Sequence, residues 1–406
     1  MALVAACDGR TSDGSTPATR TSATPFYAAK FERQPAPATL TALGRALFFD
    51  TTLSASGRMS CASCHDRAHA WGPPNARAVQ LGGPDLTTPG VRAVPSLRYQ
   101  QDTPPFTEHF ADDDEDDGAD QGPAGGRDWD GRASSAHDQA RAPLLSSFEM
   151  ANADSNAVIE KLGRSPVAAG FREAFGDHVL ATPALAWTGV LMALEVFQQS
   201  PADFYPYSSR YDAYLRRAAK LTDQEQRGLA AFSDPARGNC AECHPSARQR
   251  GAMPQFTDRG FVALGVPRNH AIPGNANPQY FDMGLCGPLR TDLTAFSDYC
   301  GMFKTPTLRN VALRAVFFHN GELHSLEEVV RFYQQRDVHP SLFYPSAGTS
   351  RLDKFDDVPL RFRRNVSFHA PFDSTANPRA HFSDADAAAI VAFLRTLTDS
   401  DMAKRP

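Results

Sequence analysis

The sequence predicts an all-α chain of two tandem domains built on one plan. Three observations predict it. A stretch of helical periodicity followed directly by the pentapeptide C-x-x-C-H occurs twice, at Cys61-Ala62-Ser63-Cys64-His65 and at Cys240-Ala241-Glu242-Cys243-His244. Apolar residues recur at helical spacing along most of the remaining body, with capping signals where the runs begin. No strand-rich segment stands out. At 406 residues the chain is long enough for two or three domains, and 42% hydrophobic residues can fill their cores.

Each pentapeptide is the attachment signature for a c-type haem. The two thiols add across the haem vinyl groups, and the adjacent histidine reaches the iron as proximal ligand. With seven Cys and twelve His in the whole chain, chance gives well under one such element. There is no further C-x-x-C to complete a four-cysteine zinc site. The expectation is therefore two covalent haems, with His65 and His244 on the irons. Haem attachment of this kind implies export to the periplasm. Net charge of −5 gives no argument for a nucleic-acid partner. No apolar run approaches the roughly 20 residues of a membrane span. Cys286 and Cys300 suit an oxidising compartment, where a disulfide closing that short loop contributes about 3 kcal/mol.

Taken in order, residues 1–25 read as a signal remnant and tether. Val4-Ala5-Ala6-Cys7 has the ending of a lipoprotein signal, in which Cys7 would carry a lipid anchor. It lacks a charged n-region and a full h-region, and a stray thiol in a disordered tail is the alternative. Residues 8–25 are mostly Ser, Thr, Ala, Gly and Asp, with little to bury. Residues 26–219 form the first expected domain. Leu40, Leu43, Leu47 and Phe48 line a helix that feeds the first pentapeptide. Gly and Pro in residues 69–101 predict a loop wrapped on the haem. The run at 112–117 reads as a solvated acidic loop rather than a calcium loop, since the closing glutamate is missing. Helices are expected again after Asn152. Ser165-Pro166 reads as an N-cap and first helical position, and Gly176 as the stop after Phe171 and Phe175. Leu185, Trp187, Val190, Leu191, Leu194 and Phe197 mark a buried helix.

Residues 220–406 form the second expected domain. Thr222 and Glu225 make a capping box that opens a helix with Leu229 and Phe232, leading into the second pentapeptide. Ser325 and Glu328 make another, ahead of Leu326, Val329, Val330 and Tyr333. Ile390, Phe393, Leu394 and Leu397 mark the last helix. This is the organisation of two tandem cytochrome c-like domains. One axial ligand per iron is fixed by the motifs. The sixth positions decide between electron transfer and peroxide chemistry, and the many remaining His and Met leave that choice open.

The chain resembles the bacterial di-haem cytochrome c peroxidases, including the MauG-type enzymes, over nearly everything after the tether. The resemblance rests on both pentapeptides and on Leu43-Gly44-Arg45-Ala46-Leu47-Phe48-Phe49-Asp50, Trp129-Asp130-Gly131-Arg132-Ala133, Phe303-Lys304-Thr305-Pro306-Thr307-Leu308-Arg309-Asn310 and Phe318-His319-Asn320-Gly321. It implies that hydrogen peroxide reacts at the first haem, with Glu149 as acid–base and Gln139 and Pro143 shaping the pocket. A positioned carboxylate of this kind contributes roughly 10²–10⁴-fold, and burial beside a haem raises its pKa. Trp129 is implied to lie between the haems and couple them. Tyr333 aligns with the distal ligand of the second haem, as in the MauG branch, where most relatives carry Met. Its phenolate stabilises oxidised iron, and ferric iron lowers its pKa from about 10. Arg309 is expected on a haem propionate and His319 nearby.

The family also has an interhaem calcium, held partly by an Asn in an Arg-Asn-x-Pro element. This sequence has Arg92-Ala93-Val94-Pro95, and the carbonyl donors fall near Arg314 and Val316. Calcium is thus doubtful, and the Arg314 cation is expected in its place. The reading is a di-haem peroxidase. Its donor is a small redox protein (a cytochrome c or a cupredoxin) or the side chains of a protein substrate. The alternative is a non-enzymatic di-haem electron carrier.

Overall fold

The computed structural model describes residues 26–110, 121–344, 352–372 and 382–403. Cys7, the tether and the whole acidic run at 112–117 lie outside the described residues. Among the described residues eleven α-helices follow in order: α1 Pro37–Phe49, α2 Ala136–Leu145, α3 Ser155–Arg164, α4 Ala168–Phe175, α5 Pro183–Gln198, α6 Pro201–Phe204, α7 Arg210–Leu215, α8 Asp223–Ser233, α9 Leu326–Gln335, α10 Asp384–Arg395 and α11 Ser400–Ala403. Among the same residues sheet is confined to two antiparallel pairs of two-residue strands, β1 Leu81–Gly82 with β2 Thr88–Pro89 and β3 Phe261–Val262 with β4 Phe303–Lys304. The fold is all-α.

One helix pair is used twice. The helix ahead of each pentapeptide crosses a helix at the end of its own half, α1 on α5 and α8 on α10. Both crossings turn on a glycine. A Cβ on Gly44 would overlap the Ala193 carbonyl and the Phe197 side chain, and one on Gly228 would overlap the Ala389 carbonyl and the Phe393 side chain. Only a residue without Cβ lets the backbones approach so closely. Two apolar cores result. One runs from Phe31 to Phe204 and contains Leu43, Leu47, Val190 and Phe197. The other runs from Tyr211 to Leu397 and contains Phe232, Val330, Ile390 and Phe393.

The helix starts follow the expected chemistry. Thr222 accepts from the Glu225 amide and Glu225 from the Thr222 amide, and Ser325 with Glu328 does the same at α9. Two local expectations are corrected. Helix returns at Ala136, not after Asn152, because Ser135 caps the Asp138 amide at 3.1 Å. The polar composition of α2 and its internal Pro143 hid it. Ser165 and Pro166 make a turn in which Ser165 Oγ accepts from Val167, so α4 begins two residues later. Gly176 does end α4, at φ +120°.

Cys286 and Cys300 form a disulfide with a Cα separation of 4.9 Å. The halves are joined by buried polar contacts. Arg98 bonds Asp399 at 2.7 Å and Asp401 at 2.6 Å, and the Tyr99 hydroxyl donates to Asp399. The Lys304 amide donates to the Trp129 carbonyl, and the Ala93 amide to the His319 carbonyl. Among the described residues no helix is long and apolar enough to cross a membrane.

Candidate active site

The two pentapeptides fold alike. In each, the His amide donates to the carbonyl of the first Cys, His65 to Cys61 at 2.9 Å and His244 to Cys240 at 2.8 Å. That single turn puts thiol and imidazole on one side of the chain. The other ring nitrogen is then tied back to the backbone. His65 Nδ1 lies 3.0 Å from the Trp71 carbonyl, and His244 Nδ1 lies 2.8 Å from the Phe256 carbonyl. A carbonyl only accepts, so Nδ1 carries the proton and Nε2 keeps its lone pair. Burial lowers both histidines to about 4, leaving neutral imidazoles at pH 7. All four thiols are free, and burial pushes each up to about 12. Two reduced thiols beside a neutral imidazole with a free Nε2 fit a haem attached through thioethers, at both places. The Cys-Cys-His set would hold each haem.

Glu149 sits on the turn after α2. Its carbonyl accepts from the Gly83 amide at 2.8 Å, and the next residue, Met150, donates its amide to the Pro143 carbonyl at 3.0 Å. Burial raises the Glu149 carboxyl to about 7. Ser146 and Arg132 pull it down, and the Asp128 charge lifts it further. The Glu149 charge in turn raises Cys61 and Cys64, so it lies within electrostatic reach of the first pentapeptide. Gln139 Nε2 donates to Asp128 Oδ1 at 3.4 Å, and Asp128 Oδ2 is 3.1 Å from Arg132. Pro143, inside α2, has no amide proton, so the helical bond to the Gln139 carbonyl is missing.

A second region is a cavity of about 540 Å³ lined by residues from both halves, among them Trp129, Gln139, His244, Tyr333 and His319. That volume is in the range of cofactor pockets. Cys240 and Cys243 line it; Cys61, Cys64, His65 and Glu149 do not. Trp129 is buried, and its indole donates to the Ala93 carbonyl at 2.8 Å. Tyr333, on α9, stacks on Phe372 at 5.2 Å. With no iron beside it, burial pushes its phenol upward, and the charges of Cys243 and Cys240 add to this. A phenolate at this place needs a cation beside it. His319 stacks on Phe303 at 3.5 Å, and its Nε2 has no hydrogen-bond partner. Burial lowers it to about 3.

Arg309 also lines this cavity. Its guanidinium is bound at both ends by Asp212, at 2.9 Å and 3.0 Å, and lies over the rings of Tyr99 and Tyr207. Its charge is already neutralised within the protein. Arg314 reaches the Val94 carbonyl at 3.1 Å and the Val316 carbonyl at 3.2 Å, spanning the stretch where the expected metal donors fall.

Sequence reasoning did not single out Asp128, Trp71 or Phe256. Asp128 precedes the Trp129 motif and carries no pattern of its own. Trp71 and Phe256 act through backbone carbonyls, and both have left-handed φ, +58° and +55°. That is a backbone property with no signature in side-chain type.

Comparison with known proteins agrees with this geometry. The family model described as di-haem cytochrome c peroxidase matches residues 38–220. The methylamine utilization protein MauG of Paracoccus denitrificans is 31% identical over 378 residues, covering 91% of this chain and 90% of that protein. The cytochrome c551 peroxidase of Pseudomonas aeruginosa is 28% identical over 71% of this chain and 69% of its own. The crystal structure of the diheme peroxidase BthA from Burkholderia thailandensis superposes with a TM-score of 0.79 at 37% identity, over 94% of this chain and 90% of that one. Two pentapeptides of identical local geometry, an all-α fold and near full-length similarity lead to one conclusion: the chain belongs to the di-haem cytochrome c peroxidase and MauG family of oxidoreductases.

Proposed function

We propose that the chain is an exported, periplasmic enzyme that reduces hydrogen peroxide beside His65. Covalent haem c is held by Cys61, Cys64 and His65 and by Cys240, Cys243, His244 and Tyr333. When bound, the haems supply the redox-active irons that hold peroxide and deliver its electrons. The observation that carries the reading is Glu149, a buried carboxyl brought to about 7 within reach of the first pentapeptide. It accepts the proton from the near oxygen of hydrogen peroxide and returns it to the departing oxygen, which leaves as water. A group balanced near neutral pH does both halves of that transfer. Gln139, held by Asp128, stands between Glu149 and the cavity of the second pentapeptide as the pocket-shaping amide of this reading, and Pro143 fixes the turn that carries Glu149.

Trp129 stands in the cavity wall where the halves meet, which suits a bridge for electrons between the sites. Tyr333 in place of Met favours storage of oxidising equivalents over entry of electrons from a high-potential donor. That supports protein side chains as the electron source, as its similarity to MauG would have it, with a small redox protein as the other donor. Arg314, joining the Val94 and Val316 carbonyls, supports an interhaem region without calcium. The test is peroxide consumption by haem-loaded protein and by Glu149→Gln with both haems retained. A loss of about 10²–10⁴-fold is expected; consumption at the wild-type rate in the variant overturns the assignment, and none in either favours an electron carrier.

A further inference from the structure

Buried arginines in this protein are matched by carboxylates. Arg92 pairs with Asp130 and Asp282, Arg98 with Asp399 and Asp401, Arg268 with Asp357, Arg309 with Asp212 and Arg336 with Asp337. Three cations break the pattern, and all three line the cavity that holds Cys240, Cys243 and His244: Arg127, Lys304 and Arg314. Among the described residues none has a carboxylate within ion-pair distance. Arg127 is 8% exposed, donates Nη2 to the Gln100 carbonyl at 2.9 Å, and leaves Nε without a partner. Lys304 Nζ donates to the Gly126 carbonyl at 2.6 Å. Arg314 has only the Val94 and Val316 carbonyls. Glu195 and Asp128 act on Arg127, and Asp128 on Lys304, from further away, but Tyr27 and His137 already engage Glu195 and Arg132 holds Asp128 at 3.1 Å.

Backbone carbonyls satisfy N–H groups but cancel no charge. A buried cation without a counter-charge costs several kcal/mol. The strain is visible in Lys304, which burial lowers to about 7, and in Arg314, lowered to about 10. Arg127 is buried and Lys304 and Arg314 are part-buried, and three such cations around one cavity favour an anion among them. A guanidinium also favours a carboxylate that can take two of its N–H groups.

We propose that Arg127, Lys304 and Arg314 form the anion site of this cavity and bind the propionate carboxylates of the haems, in place of Arg309. The inference rests on the reading of two covalent haems. Pyridine haemochrome analysis of the same preparation tests that reading separately: fewer than two haems per chain overturns both the reading and the propionate site that rests on it. With two haems present, a crystal structure of the holoprotein should place propionate oxygens within about 3 Å of Lys304 Nζ and the Arg127 or Arg314 guanidinium. Propionates on Arg309, in solvent, or displaced from these cations by a small inorganic anion overturn the proposal.

Spectroelectrochemical titration gives an independent readout. In Arg314→Gln, Lys304→Met or Arg127→Gln, loss of a compensating cation should favour the ferric form of a haem by about tenfold at fixed potential, which is 59 mV for one electron. Arg314→Lys keeps the charge and should keep most of the potential. Wild-type potentials in all three neutral variants, or an equal fall in Arg314→Lys and Arg314→Gln, contradict the assignment. Where a variant does not fold, the wild-type crystal structure still decides.

Discussion

Asp212 holds both terminal nitrogens of Arg309, at 2.9 Å and 3.0 Å, with both side chains shut off from solvent. The pair lies in the second half of the protein, beneath Tyr99 from the first. Removing one partner leaves a buried charge uncompensated, so Asp212→Asn should cost about 3–5 kcal/mol. Arg309→Lys should not restore the loss, because an ammonium cannot reproduce the fork or the ring stacking. Denaturant unfolding of the variants measures it; a cost under about 1 kcal/mol would show that the pair is dispensable.

The pH profile follows from Glu149. Its carboxyl is raised to about 7, and only the deprotonated form can take a proton from peroxide. The second-order rate with peroxide should therefore rise with pH, about tenfold per unit below 7, and level off above it. Glu149→Gln should be slower and flat across the same range. Stopped-flow mixing between pH 5 and 9 checks both. A profile whose inflection survives in Glu149→Gln would assign the titration to another group.

The glycine crossings predict opposite effects for one substitution. Gly44→Ala and Gly228→Ala put a methyl into the facing backbone, and overpacking of this kind costs about 1–3 kcal/mol or more. Gly163→Ala, in α3 with nothing within 4 Å of its Cβ position, should gain about 0.5–1 kcal/mol. Thermal unfolding of the three variants side by side is the check.

Much of this was legible in the sequence. The pentapeptides, the capping boxes and the apolar stripes of α1, α5, α8 and α10 each carry a local signal, and local signals determine a helix. What stayed hidden was held by partners far along the chain. Asp212 captures Arg309 from 97 positions away, so the charge that the motif offered to a cofactor is already used. Trp71 and Phe256 serve the histidines through carbonyls, for which any side chain would do. Arg127, Lys304 and Arg314 stand out only once the remaining buried arginines are seen to have carboxylate partners. Helix α2 was missed because His137, Asp138, Gln139 and Arg141 interrupt its apolar stripe and Pro143 reads as a helix breaker.

The metal expectation is also open to test. If the Arg314 guanidinium joins Val94 and Val316 in place of a cation, purified protein should contain well under one calcium per chain. Prolonged chelator treatment should leave its haem spectra unchanged. Elemental analysis finding one tightly held calcium per chain would contradict this.

The most direct test of the central claim is low-temperature EPR of the fully oxidised protein, before and after one equivalent of hydrogen peroxide. The account predicts one high-spin ferric signal from the His65 site and one low-spin signal from the His244 site, both lost together on adding peroxide. Two low-spin signals that peroxide leaves unchanged, in oxidised and in half-reduced protein alike, would contradict it and mark an electron carrier.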